Sequence, residues 1–208
     1  MYVPAHFAEQ RPEALHALIH DHPLGVLVTR GADGLDADHL PFEFDPKRGS
    51  HGVLTAHCAR ANPLWQQAAG AEVLVIFRAA EGYISPNWYP SKHETHRLVP
   101  TWNYSVVHAH GRLAVHDDER FVRGVVARLT RQHEADEPKP WRMTDSTPEF
   151  IDSMLRAIVG LEITIERLVG KAKLSQNRAP ADAAGAIDEL AARGRHALAD
   201  AMRDAPRP

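Results

Sequence analysis

The chain alternates short apolar runs with turns that contain glycine, proline or charged residues. A nearly continuous apolar run is typical of a buried strand, and strict alternation is typical of a strand with one solvent-facing side. Six strands are predicted on this basis: Leu24–Thr29, Leu35–Phe44, Gly52–His57, Glu72–Phe77, Thr101–His116 and Gly160–Val169. Because regular helical crossovers are missing between them, the order predicts an α+β protein that is mainly β. We expect an antiparallel barrel with peripheral helices rather than a doubly wound parallel sheet.

Helical periodicity appears between and after these strands. Asn62 before Pro63 and the capping box in Ser146–Glu149 are two helix-start signals. The predicted helices are Pro12–His20, Pro63–Ala69, one from Asp117 or Asp118 to His133, one from the capping box to Ile158, and Asp182–Arg203. We therefore expect one domain over residues 1–180, with a C-terminal amphipathic helix over residues 181–208 packed on it.

Composition narrows the class of protein. The 208 residues carry a net charge of -3 and a single cysteine, Cys58. One cysteine excludes an internal disulfide framework, and the start of the chain lacks the features of a secretory signal, so we expect a cytoplasmic location. No apolar run approaches the roughly 20 residues of a membrane-spanning helix, so no membrane partner is expected. The mild acidity does not favour broad nucleic-acid binding, which usually needs a basic surface.

Aromatic side chains concentrate in Gly82–Lys92 and Val99–Tyr104. These segments hold two of the four tryptophans, three of the four tyrosines and three prolines. Flat rings beside polar groups, on a backbone set by proline, suit a planar and partly polar ligand. The alternative is a loop whose aromatic residues cap the core.

Two other motifs combine cations with uncharged polar groups. His57, Arg60 and Asn62 lie between a strand and a short helix, which suits a phosphate; the alternative is a solvated arginine and a simple helix cap. Lys171–Arg178 follows the last predicted strand, with three cations and a Ser-Gln-Asn insert. It suits an anionic ligand, and the alternative is a solvated surface.

Histidine pairs raise the alternative of a metal or haem site. His93 and His96 are three residues apart, and His108 and His110 share one face of a predicted strand. Neither pair has a carboxylate or cysteine at a recognised spacing, so no metal ligand is assigned. The chain also lacks the nucleophile elbow, the Walker loop and the dinucleotide glycine motif, which disfavours hydrolases, NTPases and dinucleotide-binding folds.

Four motifs together resemble the PaiB family, described as FMN-binding negative transcriptional regulators. They are Met1–Phe7; His57–Pro63 with Trp65; Gly82–Lys92 with Val99–Tyr104 and Val107–His108; and Lys173–Arg178. The resemblance runs from residue 1 to about residue 180 and, less specifically, through the last helix. Cys58 departs from the family pattern, in which a larger apolar residue is expected.

This resemblance implies the FMN-binding split barrel shared with pyridoxamine-phosphate oxidases and flavin reductases. The expected cofactor is FMN, and the expected partner is a second copy of the chain, with the flavin near the homodimer interface. The implied roles fall into three groups. Arg60 with His57 and Asn62 would hold the phosphate; Lys173, Ser175, Gln176 and Arg178 would contact the phosphate or the ring edge, including across the dimer; Trp88, Trp102, Asn103 and Tyr104 would line the isoalloxazine pocket.

Two functional classes stay open at this point. The family description implies a regulator that lowers transcription and has a DNA operator as a partner, although no clear helix-turn-helix occurs. The fold implies the alternative of an FMN-dependent reductase or oxidase, because flavin supplies the redox step without a catalytic dyad. Catalytic residues are therefore not assigned. A haem or metal binder is the weaker alternative.

Overall fold

A computed structural model describes residues 1–32 and 34–207. The described residues form eight strands: β1 (Ala8–Glu9), β2 (Leu24–Gly31), β3 (Gly34–Pro41), β4 (Glu43–Asp45), β5 (Val53–Ala59), β6 (Glu72–Ile84), β7 (Thr101–His116) and β8 (Ile158–Lys173). They also form seven α-helices: α1 (Pro12–Asp21), α2 (Leu64–Gln67), α3 (Lys92–Thr95), α4 (Glu119–His133), α5 (Pro148–Arg156), α6 (Pro180–Ala192) and α7 (His196–Asp204).

The described strands form a single sheet in the order β3-β2-β6-β7-β8-β5-β4, with β1 beside β8. β2 pairs antiparallel with β3 and β6, and β5 pairs antiparallel with β4 and β8. In the β2–β3 hairpin, Leu24 lies opposite Pro41 and Gly31 lies opposite Gly34. The prediction of a mainly β, antiparallel fold with peripheral helices is confirmed.

Among the boundaries that differ from the predicted ones, three differ for clear local reasons. β6 continues to Ile84 because the backbone stays extended after the apolar run ends at Phe77. The predicted strand 35–44 is two strands, because the chain pairs with β2 up to Pro41 and with β5 from Glu43. The predicted helix 182–203 is also divided, because Gly194 has a φ of 71° and ends α6 in the left-handed region.

The chain divides into two compact units. The first unit comprises Met1–Leu18, Arg78–Val107 and Val169–Pro208, and the second comprises Ile19–Phe77 and His108–Leu168. β6, β7 and β8 each contribute residues to both units. The single domain over residues 1–180 stays a prediction.

The first unit has a core that joins the end of β6 to the C-terminal helices. Its buried members are Ile84, Tyr89, Leu174, Ala186, Ile187, Leu190, Leu198, Ala199, Met202 and Ala205. Burying one large apolar side chain contributes about 1.5–3 kcal/mol. The fully buried Tyr89 therefore anchors the aromatic segment that precedes it.

The second unit has a strand core and a smaller helical cluster. The fully buried strand residues include Leu27, Leu54, Val75, Phe77, Leu161 and Ile163. α4 and α5 pack through Val122, Ile151 and Leu155. The Asp118 carboxylate accepts a hydrogen bond from the Phe121 N–H at 2.8 Å, so one of the two predicted caps of α4 is present.

Candidate functional site

The aromatic segment begins where β6 ends. The Ser85 hydroxyl accepts a hydrogen bond from the Asn87 N–H at 3.2 Å and caps the 3-10 turn Pro86–Trp88. Pro86 fixes φ in the first position of this turn. Tyr89 then enters the core, while Trp88 stays partly exposed.

Three aromatic rings line a cavity of about 440 Å³ in the first unit: Tyr83, Trp88 and Trp102. The rings of Tyr83 and Trp102 meet edge to face, with centroids 6.4 Å apart and planes at 67°. Trp102 is 50% exposed and Tyr83 is 47% exposed, so both rings offer apolar area to a ligand. The volume lies within the range of small-molecule sites, roughly 300–1,000 Å³. The other lining residues are Glu81, Gly82, Leu190, Arg193 and Arg195.

Two contacts hold the aromatic segment against α6. Asp182, in the first turn of α6, accepts hydrogen bonds from the Ser91 N–H at 3.0 Å and the Ser91 hydroxyl at 2.7 Å. A Cβ at Gly185 would lie 2.3 Å from the Trp88 carbonyl oxygen, so only glycine allows this close approach. The position of Trp88 therefore depends on α6.

Two arginines complete the cavity wall at the junction of α6 and α7. The guanidinium carbon of Arg193 lies 5.1 Å from the Trp88 ring centroid, and Arg193 pairs with Glu189 at 2.8 Å. Arg195 donates from Nη2 to the Glu81 carbonyl at 2.7 Å. The wall thus combines aromatic faces with cations, as a planar anionic ligand requires.

Lys173 links the end of β8 to the start of β7. It donates to the Thr101 hydroxyl and, at 2.6 Å, to the Trp102 carbonyl. Burial, and then the charges of Lys171 and Arg178, lower the pKa of Lys173 below its usual value. Lys173 has neutral oxygens as its partners in the described residues, so a nearby anion would stabilise its charged form.

Asn103 is 1% exposed and joins two other residues of the first unit. Its Nδ2 donates to the Ser175 hydroxyl at 2.9 Å and to the Met202 sulfur at 3.4 Å. Within residues 1–32 and 34–207, its carboxamide oxygen has no hydrogen-bond partner. An unpaired buried acceptor costs about 1–3 kcal/mol, so a ligand N–H at this oxygen would be stabilising.

Gln176 and Ser175 shape the turn after β8. The Gln176 Oε1 accepts from the Leu174 N–H at 2.8 Å, and its Nε2 donates to the Ala172 carbonyl at 2.7 Å. Ser175 has a φ of 65°, in the left-handed region. Since the oxygen and the nitrogen of the Gln176 carboxamide both bind the main chain, its predicted flavin contact would have to use the second N–H or the second oxygen lone pair.

The other predicted residues of the first unit form cation–ring contacts. The Lys171 ammonium lies 5.3 Å from the Tyr104 ring centroid, and the Arg178 guanidinium carbon lies 5.3 Å from the Tyr89 ring centroid. Such contacts are worth about 0.5–1 kcal/mol at exposed sites. The structure therefore brings the 101–104 and 171–178 segments together, as their predicted common role requires.

Arg60 lies in the second unit and already has an anionic partner. Its Nη1 and Nη2 donate to the Asp117 carboxylate at 2.9 and 2.6 Å. Its Nε donates to the Arg156 carbonyl at 2.7 Å, and Nη2 also donates to the Ile158 carbonyl at 3.2 Å. The Arg60 hydrogen bonds lower the pKa of the Asp117 carboxyl. A phosphate at Arg60 would have to compete with this carboxylate.

Asn62 and His57 flank Arg60. The Asn62 oxygen accepts from the Leu64 N–H at 2.8 Å, and its nitrogen donates to Asp38 at 2.6 Å. The N-cap position of α2 is Pro63, so Asn62 lies one residue before the position predicted for it. His57 has a buried Nδ1 without a partner in the part of the chain that the structure describes. Burial lowers the pKa of His57, so its ring is mainly neutral near pH 7.

The described residues contain no group of three or more His, Cys, Asp or Glu side chains placed to hold a metal ion. The rings of His108 and His110 have centroids 6.3 Å apart, and burial lowers the pKa of both. Burial raises the pKa of the Cys58 thiol to about 11, so this thiol is a poor nucleophile at neutral pH. None of the described helices combines the length and the apolar character needed to cross a membrane.

Residues 1–167 match a family model whose description reads "Putative FMN-binding domain". The chain is also 32% identical over 192 residues to the Bacillus subtilis protein named "Protease synthase and sporulation protein PAI 2". That alignment covers 91% of this chain and 89% of the relative.

The chain belongs to the PaiB family.

Two solved structures share the fold at lower sequence identity. The FAD and heme binding protein from Mycobacterium smegmatis superposes with a TM-score of 0.59 at 20% identity, covering 80% of this chain and 73% of that chain. A flavocytochrome from Azotobacter vinelandii gives 0.59 at 12% identity, covering 82% and 72%. These likenesses concern the fold, and they confirm the predicted split barrel.

The family match confirms FMN as the cofactor, and the first unit fits this group. The aromatic cavity suits the isoalloxazine ring, and Lys173, which contacts the Trp102 carbonyl, suits a phosphate or a ring oxygen. A bound flavin would supply redox chemistry at this site.

The predicted site residues fall into two groups. His57, Arg60 and Asn62 belong to the second unit, and the other eight belong to the first. Among the described residues of those eight, Trp88 and Trp102 line the cavity. Tyr83, Arg193 and Arg195 are not among the predicted site residues. The sequence signal that could have identified Arg193 and Arg195 was the glycine between them, inside the predicted last helix.

Proposed function

We propose that this PaiB family member binds FMN in the first unit, with the isoalloxazine ring against Trp88 and Trp102. The observation that carries the proposal is the cavity of about 440 Å³ whose wall includes both indoles and Tyr83. Stacking of a base on an aromatic side chain is worth about 1–3 kcal/mol, and the flavin ring offers a larger face. Tyr104 lies on the same side of β7 as Trp102 and would extend the ring environment, whereas Asn103 lies on the opposite, buried side of the strand.

The phosphate has two candidate positions among the predicted residues. Lys173, Ser175 and Arg178 supply cations and a hydroxyl in the first unit, with Gln176 shaping the turn. Arg60, with His57 and Asn62, supplies the position that the family resemblance implies. The phosphate position at Arg60 stays a prediction. A phosphate there would have to compete with Asp117, which binds the Arg60 guanidinium.

Titration of the purified protein with FMN tests the cofactor site directly. We expect the flavin fluorescence to be quenched and its visible absorption to shift at micromolar FMN, because stacking on tryptophan changes both. A titration without either change would contradict the proposal.

We further propose that the chain is a negative transcriptional regulator with a DNA operator as its partner. The support is the 32% identity to a relative whose name refers to protease synthesis and sporulation. Gel-shift measurements on genomic fragments, with and without FMN, should show binding that weakens as salt rises from about 50 to 200 mM, because phosphate contacts release counterions. Absence of any retarded fragment, or retardation that ignores salt, would contradict this role.

A specific observation favours a second candidate function, an FMN-dependent oxidoreductase. Trp102 and Tyr83 are about half exposed, so the cavity is open to a second molecule beside the ring. Anaerobic addition of NADH or NADPH to the FMN-loaded protein should then bleach the visible flavin absorption. If neither reductant bleaches it, reductase activity is excluded for these donors.

The same exposed rings support a homodimer with flavin at its interface. Two half-exposed aromatic residues beside one cavity are typical of a surface that a partner or a ligand covers. Sedimentation equilibrium with and without FMN tests this proposal. A mass of one chain under both conditions, at concentrations above the flavin dissociation constant, would contradict it.

A further inference from the structure

The C-terminal end of α4 and the segment that follows it enclose a cavity of about 670 Å³ in the second unit. We call it the α4 cavity, and its lining residues lie between positions 127 and 144. The volume is within the range of small-molecule sites, roughly 300–1,000 Å³. None of the residues predicted to contact the flavin belongs to this lining, so the α4 cavity is separate from the flavin site.

The fold itself holds the wall of the α4 cavity in place. The Glu134 carboxylate accepts a hydrogen bond from the Trp141 N–H at 2.8 Å. The Asp145 carboxylate accepts one from the Arg142 N–H at 3.0 Å. Met143 packs against the buried apolar residues that α4 and α5 share. The segment that carries Trp141 is therefore fixed to the helices, and a ligand need not order it.

The apolar part of the wall suits an aromatic ring. Trp141 is the largest side chain in the lining and is 40% exposed, so its indole offers a face for stacking. Pro140 and Met143 belong to the same lining, and a thioether sulfur packs favourably against aromatic rings. A flat aromatic ligand therefore matches this wall.

The charged part of the wall suits a single negative charge. Arg131 and Arg142 contribute two guanidinium groups and Glu134 contributes one carboxylate, so the lining keeps one net positive charge. The Arg131 guanidinium has no hydrogen-bond or ion-pair partner in the part of the chain that the structure describes. A guanidinium with free donors matches the two oxygens of a carboxylate. Thr130 and Thr144 add hydroxyl groups beside it.

We propose that the α4 cavity binds a planar aromatic monocarboxylate, with its ring against Trp141 and its carboxylate at Arg131 and Arg142. One ligand charge neutralises the lining, whereas the second charge of a phosphate monoester would meet Glu134 without a cation to offset it. The site lies within the second unit, and the proposal does not depend on where the flavin binds.

Calorimetric titration with 2-naphthoate tests the proposal, with 2-naphthamide as the uncharged ligand of the same shape. Both titrations use protein saturated with FMN, so that the flavin occupies its own site. We expect 2-naphthoate to bind with a Kd below about 1 mM, and 2-naphthamide to bind roughly tenfold more weakly because it lacks the charge-assisted contact.

Variants of the charged residues locate the carboxylate. Arg131→Gln should weaken 2-naphthoate roughly tenfold and leave 2-naphthamide within about twofold, because only the anion uses the guanidinium charge. Glu134→Gln keeps an acceptor for the Trp141 N–H but removes a negative charge, so it should strengthen 2-naphthoate about threefold. Arg120→Gln is the matched control, since Arg120 is an exposed arginine of the same helix outside the lining, and it should change neither affinity.

Variants of the aromatic residues locate the ring. Trp141→Ala should weaken both probes roughly tenfold, because stacking is lost for the charged and the uncharged ligand alike. Trp141→Phe keeps an aromatic ring and the fold, and should retain most of the affinity. Trp102→Ala should change the binding of neither probe.

Three results would overturn the inference. The first is the absence of any heat of binding for 2-naphthoate up to about 1 mM, and the second is equal affinity for the charged and the uncharged probe. The third is loss of binding in Trp102→Ala with retention in Trp141→Ala, which would place the probe in the aromatic cavity of the first unit.

Discussion

The cations of the two units contact different kinds of partner. In the second unit, five arginines form ion pairs with carboxylates: Arg48 with Glu162, Arg60 with Asp117, Arg112 with Glu72 and Glu166, Arg123 with Asp152, and Arg128 with Glu43. In the first unit, cations such as Lys171, Lys173, Arg178 and Arg195 contact carbonyls, a hydroxyl or aromatic rings instead. The carboxylate pairs of the first unit join residues at most four positions apart and lie at the surface.

This difference separates cations whose charge is neutralised by a carboxylate of the fold from cations whose charge is not neutralised. An arginine beside a carboxylate is locally neutral, and a phosphate must displace the carboxylate to reach it. A lysine or arginine beside neutral oxygens or rings keeps its net charge and attracts an anion. The difference in partners thus favours the first unit as the place where the phosphate of a flavin binds.

The largest expected effect concerns the helix that holds Trp88. Gly185→Ala would place a Cβ 2.3 Å from the Trp88 carbonyl oxygen, a backbone atom that cannot move freely. Overpacking of this kind costs about 1–3 kcal/mol, and we expect the free energy of unfolding to fall by about 3 kcal/mol with a clear loss of FMN affinity.

Gly124→Ala in α4 is the matched control from the second unit. Its Cβ would meet only the end of the flexible Arg128 side chain, at 3.2 Å. Replacing a helical glycine by alanine should stabilise the protein by about 0.5–1 kcal/mol and leave FMN binding unchanged. Urea unfolding and FMN titration of both variants measure the contrast, and equal effects at the two glycines would remove the special role of α6.

The next effect concerns the exposed tryptophans. Trp102→Ala removes a ring of the cavity wall, and we expect FMN and riboflavin to bind roughly tenfold more weakly, because ring stacking is lost while phosphate contacts are kept. Trp141→Ala removes a ring of the second unit that is 40% exposed, and should change neither affinity. Fluorescence titrations decide between them, and equal losses from both variants would mean that stacking is not localised in the first unit.

Much of the fold follows from local sequence patterns. β7 has the predicted bounds, and buried and more exposed positions alternate along it from Val107 to Ala114. The cap at Asp118 is likewise a short-range signal. The break at Gly194 is hidden, since the apolar stripe continues through it from α6 to α7. A stripe reports which face is buried and does not report whether one helix or two carry it.

The candidate site is less predictable because its roles depend on contacts between distant residues. The sequence around Arg60 contains no sign of Asp117, which captures its guanidinium. Gln176 looks available in the sequence, yet it binds the main chain of its own turn. Motifs identify residues suited to a ligand, and only the three-dimensional partners decide which of them keep free donors.

A smaller effect concerns Lys173 and its lowered pKa. An anion favours the charged ammonium, so FMN affinity should fall severalfold as pH rises through this lowered pKa, and Lys173→Met should lack the transition. Titrations of FMN from about pH 7.5 to 10 measure this fall in affinity, with riboflavin in parallel to correct for ionisation of the ring.

The free energy of unfolding should change with pH in the opposite direction to the FMN affinity. Between the folded and unfolded pKa the unfolded state holds more protons, so the wild type should gain stability with rising pH relative to Lys173→Met. A wild type and variant with identical pH profiles would show that Lys173 carries no charge felt by the ligand.

The smallest expected effect is at Arg60, and it is the sharpest comparison between the units. If Arg60 holds the phosphate, as the family resemblance implies, Arg60→Ala should weaken FMN more than riboflavin, and Asp117→Asn should strengthen FMN by releasing the guanidinium. Because Arg60 is engaged by Asp117 and two carbonyls, we expect each variant to change FMN affinity by less than about threefold, as is usual when a surface pair is removed. Parallel FMN and riboflavin titrations of both variants measure the difference. A large FMN-specific loss from Arg60→Ala, together with a gain from Asp117→Asn, would move the phosphate site to the second unit.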